Sequence, residues 1–350
     1  MFKDNTVFVI GAGASAEFEL PVGWQLLQAI KDNCDFKLDH FGQYLGGSRE
    51  VYSHYLKIFG TSDAQKVDQF NLRLEKSWQI RDGIESADSI DEYIFRYTND
   101  SLIAEVGKLH IANAISLAES NSSLSPRVGF QNDVGRADKT WIWGFAKALM
   151  NGVRAEEVDQ IGQNITIICF NYDRCIEHYL EYAFRRGFHG LPHQEARAIV
   201  DRMNIIHPYG WLGDLEAFPF GEPDKFPEMA NNLITWSESI KDAEIVSKMR
   251  MAIKDASQIV FMGFGFAAQN MELLDTQPEH TELMDYELAE PPDVYATALG
   301  IPHEVEGSLK SKISALYTGQ WSLQADQAIH FQYGAKCKDF FDIHRLNLVK

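Results

Sequence analysis

The chain has 350 residues, 45% of them hydrophobic, enough to bury a sizeable core in one large α/β domain or two closely packed ones. Its 32 Lys and Arg against 50 Asp and Glu leave a net charge of −18, which argues against a broad surface for nucleic-acid phosphates but not against one local basic patch. No apolar run approaches the roughly 20 residues that span a bilayer, so neither a membrane nor direct nucleic-acid binding is expected.

The first residues place a lysine before a short apolar run that leads straight into a glycine turn, which reads as a strand rather than a signal peptide. That run, residues 7–10, is followed by others at 165–170, 204–207, 259–262 and 294–299. All are nearly continuous rather than alternating, the pattern of strands buried on both faces. Helix-period stretches follow most of them. Residues 174–186 carry Ile176, Tyr179, Leu180 and Phe184 on one face, and residues 303–317 follow the last run. This alternation predicts an α/β fold, a Rossmann-like parallel sheet covered by helices. Between 31 and 159 no strand-like run stands out; helical stretches occur at 68–79, 90–97, 102–119 and 140–150. The expected organisation is a single unit: a core of residues 1–30 and 160–335, a large helical insertion at 31–159, and a C-terminal tail at 336–350. Trp78, Trp141 and Trp143 in the insertion suit contacts between helices or subunits, so it is expected to be a lid, an assembly surface or a helical layer on the sheet. Residues 211–229, with Pro219, Pro223 and Pro227, read as a surface loop or lid. The four cysteines, Cys34, Cys169, Cys175 and Cys337, form no CxxC pair, and a reducing cytoplasm is the natural setting.

Three clusters carry candidate chemistry. Gly11-Ala12-Gly13-Ala14-Ser15 directly follows a strand, where glycines allow a sharp turn and a close approach to phosphate. A tight strand-to-helix turn without a ligand would look the same, and the acidic residue that ends a second strand in the ordinary dinucleotide fingerprint has no counterpart near residues 32–37. Asn171-Tyr172-Asp173 ends the run ITIICF. Asn171 could hold a ribose hydroxyl or a water and Asp173 could orient its neighbours, or either could cap the helix that follows. His207 stands at a strand end before Pro208-Tyr209-Gly210 and could act as a base, or be a hydrogen-bonded structural histidine. A fourth segment, Gly263-Phe264-Gly265-Phe266 with Gln269-Asn270 beyond it, is a second glycine-marked strand end.

Taken together, these segments resemble the sirtuin superfamily, and within it the divergent prokaryotic sirtuin-like proteins of antiphage defence. The resemblance rests on Gly11 to Ser15, Leu20-Pro21-Val22-Gly23, Ser89-Ile90-Asp91, Asn171-Tyr172-Asp173, His207-Pro208-Tyr209-Gly210 and the turn at Gly263. It implies hydrolysis of NAD+ to nicotinamide and ADP-ribose, in defence by NAD+ depletion. The catalytic residues it implies are Asn171, His207 and Asp173. The cofactor contacts are Gly11, Ala12, Gly13, Ser15, Gly263, Phe264 and Gly265, with Pro21 and Asn270. It also implies NAD as substrate, a homo-oligomer, and a HerA-type ATPase or other defence protein as partner. The two CxxC pairs of the deacylase zinc module are absent from the sequence, so no metal of that type is expected. The alternative is a non-catalytic module that senses NAD or ADP-ribose and gates a partner.

Overall fold

The structure, a computed structural model, describes residues 1–60, 63–126, 137–276, 291–318 and 326–350. The stretches of the expected insertion and core between these ranges lie outside the described residues. Six strands form one parallel sheet: β1 Thr6–Ile10, β4 Ile165–Cys169, β5 Asn204–Ile206, β6 Gln258–Met262, β7 Asp293–Ala298 and β8 Ile329–Tyr333. The intervening β2 Lys37–Leu38 and β3 Tyr44–Gly46 make a small separate hairpin inside the segment expected to be wholly helical. Across the sheet the order is β5-β4-β1-β6-β7-β8. Counted in chain order within the sheet, this is the 3-2-1-4-5-6 order of Rossmann folds. Ligands of such sheets bind outside the carboxyl ends of the strands where the order reverses, here between β1 and β6.

The continuous apolar runs are explained by burial on two sides. Val7 and Val9 of β1 pack on one face with Ile168, Ile259 and Val294, while Phe8 and Ile10 pack on the other with Ile167, Val260 and Met262. The first face is covered by α2 Gly23–Cys34, α3 Arg49–Phe59, α4 Ala64–Gly83, α5 Ile90–Arg96 and α6 Ser101–Asn121. The second is covered by α7 Trp141–Met150, α8 Cys175–Gly187, α9 His193–Arg202 and a final helix, Cys337–Leu348. The insertion therefore contributes helical layers to both faces of the sheet. Its tryptophans divide accordingly. Trp141 is buried and donates from Nε1 to the Ala14 carbonyl at 2.9 Å, Trp78 donates to Phe36 O at 2.9 Å, and Trp143 is exposed with the Lys147 ammonium 3.6 Å from its ring centre.

Two further expectations change. β8 escapes a search for continuous apolar runs because it is a partly exposed edge strand with the alternating sequence IHFQY. The segment expected as a C-terminal tail is a packed helix, because Cys337, Phe340, Phe341 and Leu348 recur on one face and are buried against Phe2 and Phe145. Glu17 fixes this side of the molecule: its carboxylate accepts from Trp141 N at 3.0 Å and Lys338 N at 2.8 Å, so one anion serves the first turns of two helices.

The insertion is tied to the core by a buried ion pair. Glu119, in the last turns of α6, accepts from Arg174 Nη2 at 2.5 Å, from its Nε at 3.2 Å and from its backbone N at 2.9 Å. Both side chains are fully buried. Arg174 Nη1 also donates to Phe218 O and, at 3.4 Å, to Gly213 O, which holds the 211–229 loop onto the same guanidinium. Removing one partner leaves a buried charge without compensation, at a cost of about 3–5 kcal/mol, whereas replacing both with apolar groups costs much less. Chemical denaturation of Glu119→Ala should show that loss, and Glu119→Leu with Arg174→Met should recover most of it. A loss below about 1 kcal/mol in Glu119→Ala would contradict the assignment.

Candidate functional site

The glycine turn after β1 is short: Gly11 leads into α1 Ala12–Ser15. It lies against the turn after β6. Gly11 N donates to Met262 O at 3.0 Å and Gly13 N to Gly263 O at 2.9 Å. A Cβ on Gly13 would come 2.8 Å from Gly263 Cα, and one on Gly263, whose φ is +59°, would come 2.0 Å from Ala14 N. These glycines thus let two strand-end turns touch backbone to backbone at the point where the strand order reverses. Two of the N–H groups expected to face phosphate are taken up by this contact. Ala12, Gly13 and Gly263 remain partly exposed beside it, and Gly265 is exposed.

Asn171, just beyond β4, points into this junction. Its Nδ2 donates to Ser15 Oγ at 2.8 Å and to Gly11 O at 3.1 Å, and the side chain is buried. Neither Asn171 nor Asp173 stands at the N-cap of α8, which is Arg174, but Asp173 Oδ1 accepts from Cys175 N, the first residue of that helix, at 3.1 Å. Burial pushes the Asp173 carboxyl above its ordinary pKa, with a hydrogen bond from Ser15 opposing the shift. Asn171 is therefore left to the strand-end junction.

His207 follows β5. Its Nε2 lies 2.8 Å from Glu177 Oε1 and its Nδ1 3.4 Å from Asn171 O, while its ring stacks on Trp211 at 5.1 Å. The His207 and Glu177 side chains are 9% and 7% exposed. Burial alone would lower the imidazole pKa, but the Glu177 carboxylate beside it acts against burial, and the balance lies well above the ordinary value. Each ring nitrogen thus has an oxygen within reach, Glu177 Oε1 on Nε2 and Asn171 O on Nδ1, an arrangement that suits the protonated ring.

Tyr172 turns away from Asn171, and its hydroxyl donates to Asp91 Oδ2 at 2.5 Å. Burial pushes the Asp91 carboxyl up to about 6, with the Tyr172 hydrogen bond holding it down. Tyr209 OH donates to Asn270 Oδ1 at 2.6 Å.

The structure thus gathers Gly11, Ala12, Gly13, Ser15, Asn171 and Gly263 at one strand-end junction, with Asp173 and His207 directly behind Asn171. Other residues sit differently. Phe264 is buried in an aromatic cluster with Phe170, Phe261 and Phe266. Pro21 lines a separate cleft of about 540 Å³ between the loop after α1 and helices α2 and α6, with none of the other expected site residues in its walls. Reading the sequence alone missed Glu177, Trp211, Arg174 and Glu119. Trp211 had a signal, since the turn after His207 brings residues four apart together. Glu119 had none, being 55 positions from its partner. Among the described residues no group of three or more His, Cys, Asp or Glu is arranged to hold a metal, and no helix is long and apolar enough to cross a membrane.

Fold and site together define an α/β protein of Rossmann strand order, with buried polar residues gathered at its switch point. Compared with known proteins, the chain matches no protein-family model, no curated protein and no solved structure.

The raised His207 pKa has a stability consequence of definite sign. The unfolded imidazole titrates near 6.5, so the His207–Glu177 pair stabilises the fold fully below that pH. Its contribution falls as pH rises through the higher folded value. The difference in melting temperature between the wild type and Glu177→Gln should be largest at pH 6 and shrink toward alkaline pH. A difference that grows with pH would contradict the assignment.

Proposed function

We propose that this chain binds NAD+ at the β1–β6 switch point and hydrolyses its nicotinamide–ribose bond, giving nicotinamide, ADP-ribose and a proton. The observation that carries the reading is the convergence of Asn171 on Gly11 and Ser15 at the carboxyl edge of the sheet, with His207 behind it. Departure of nicotinamide leaves an oxocarbenium-like ribose, and the protein's task is to orient that ribose and present a water. The amide nitrogen of Asn171 is pinned by two acceptors, which fixes the plane of the carboxamide and leaves its oxygen to hold the water or a ribose hydroxyl. With Gly11 N and Gly13 N engaged by the protein, the phosphates fall to the exposed side of the turns, at Ala12 and Gly265.

To accept a proton, His207 needs one ring nitrogen free of its present contact. The longer of its two contacts, Nδ1 to Asn171 O, is the one a ribose hydroxyl or water would replace. Glu177 would stay on Nε2 and hold the ring, the arrangement by which a carboxylate orients a catalytic histidine. The resemblance adds a cytoplasmic role in antiphage defence, as an oligomer, alone or with a HerA-type ATPase. The pairing of His207 with a buried carboxylate favours one other reading. A histidine already paired to a carboxylate suits a module that only senses NAD or ADP-ribose and gates a partner.

Nicotinamide release from NAD+ by the purified protein separates the two. The hydrolase reading predicts release by the wild type and a fall of about 10²-fold or more in Asn171→Ala and His207→Ala. NAD+ binding should persist in His207→Ala. Binding of ADP-ribose with no release by the wild type would select the sensor, and unchanged release in a folded Asn171→Ala would remove Asn171 from the mechanism.

A further inference from the structure

Helix α5 lies in the insertion, outside the glycine junction, yet it contacts the segment after β4 that carries Asn171 and, through Trp236, the segment beyond the β6 turn. On one side Asp91, in its first turn, takes the hydrogen bond from Tyr172 OH. Tyr172 adjoins Asn171, and its carbonyl accepts from Leu212 N at 3.1 Å, so the residue is held at both its side chain and its backbone. On the other side Phe95, near the end of α5, packs edge-on against Trp236 at 4.7 Å. Trp236 Nε1 in turn donates to Gln269 O at 3.2 Å, in the segment that follows the β6 turn.

We propose that Asp91 is a positioning residue for Asn171: through Tyr172 it fixes the turn that aims the Asn171 carboxamide at Gly11 and Ser15, and it makes the helical insertion part of the site. Asn171 and Tyr172 are consecutive, and their side chains go to opposite partners, the glycine turn and α5. The Tyr172–Asp91 hydrogen bond and the Leu212 N–Tyr172 O bond together hold the backbone from which the Asn171 carboxamide projects. The requirement on Asp91 is an acceptor at that place. An asparagine there meets it through its amide oxygen, and an alanine does not.

As a statement about catalysis this rests on the proposed NAD+ hydrolysis, so the experiment carries a readout that does not. Asp91→Asn, Asp91→Ala and the near-isosteric Tyr172→Phe are compared with the wild type in nicotinamide release and in amide hydrogen exchange over residues 10–15 and 170–175. A misplacement of the order of 1 Å costs about 10²-fold in rate. The expected result is that loss in kcat for Asp91→Ala and Tyr172→Phe, with KM for NAD+ within about threefold and faster exchange in both segments. Asp91→Asn should restore kcat and exchange to near the wild type. A folded Tyr172→Phe with wild-type exchange or wild-type kcat overturns the proposal. If the wild type releases no nicotinamide, the hydrolase reading fails and exchange alone decides: faster exchange in Asp91→Ala and Tyr172→Phe but not in Asp91→Asn supports the positioning role, and any other pattern overturns it.

Discussion

A guanidinium taken wholly out of water must be met by an anion and by acceptors for its remaining N–H groups. Arg174 meets that requirement with Glu119 and with two carbonyls of the 211–229 loop, and much of the architecture around the candidate site is anchored to the result. Arg174 immediately follows Asn171-Tyr172-Asp173, so the pair joins the end of α6, the start of α8 and the loop beyond His207 at the residue next to the site. Burial raises the Glu119 carboxyl, and Arg174 acts against that shift. The N–H bonds from Arg174 suit the ionised carboxylate.

Around that anchor the strand-end turns are held by short, specific contacts. Glycines at 11, 13 and 263 bring two backbones together where side chains would collide. Asn171 crosses from β4 to that junction, and His207 closes it from β5 through Asn171 O. Each contact joins elements far apart in sequence, so the geometry of the junction depends on the whole sheet and on both helical layers. The same dependence explains why the insertion cannot be regarded as an appendage. Glu119 and Asp91 both belong to it, and both reach the Asn171-Tyr172-Asp173-Arg174 segment.

Much of the fold was legible in the sequence because parallel strands covered on both faces leave an unmistakable trace, a continuous apolar run ending in glycine or a polar residue. β1, β4, β5, β6 and β7 all have it. β8 alternates because it lies at the edge, and the final helix carries its apolar residues at helical spacing in a stretch that its position near the chain end disguised as a tail. Within the site, residue types next to strand ends could be picked out: Gly11, Asn171, Asp173, His207 and Gly263. Their partners could not. Nothing local in the sequence says that Glu177, 30 positions earlier, will pair with His207, or that Asp91, 81 positions earlier, will receive the Tyr172 hydroxyl. Long-range polar pairing follows from strand order and helix placement, which periodicity does not specify.

The central claim is that a dinucleotide occupies the junction of the β1 and β6 turns beside Asn171. Amide hydrogen exchange of the purified protein with and without saturating ADP-ribose tests it directly, because a bound ligand protects the backbone it covers. The account predicts added protection over residues 11–15, 171–173 and 263–265. Binding that protects only other parts of the chain, such as the cleft between α2 and α6, would contradict it.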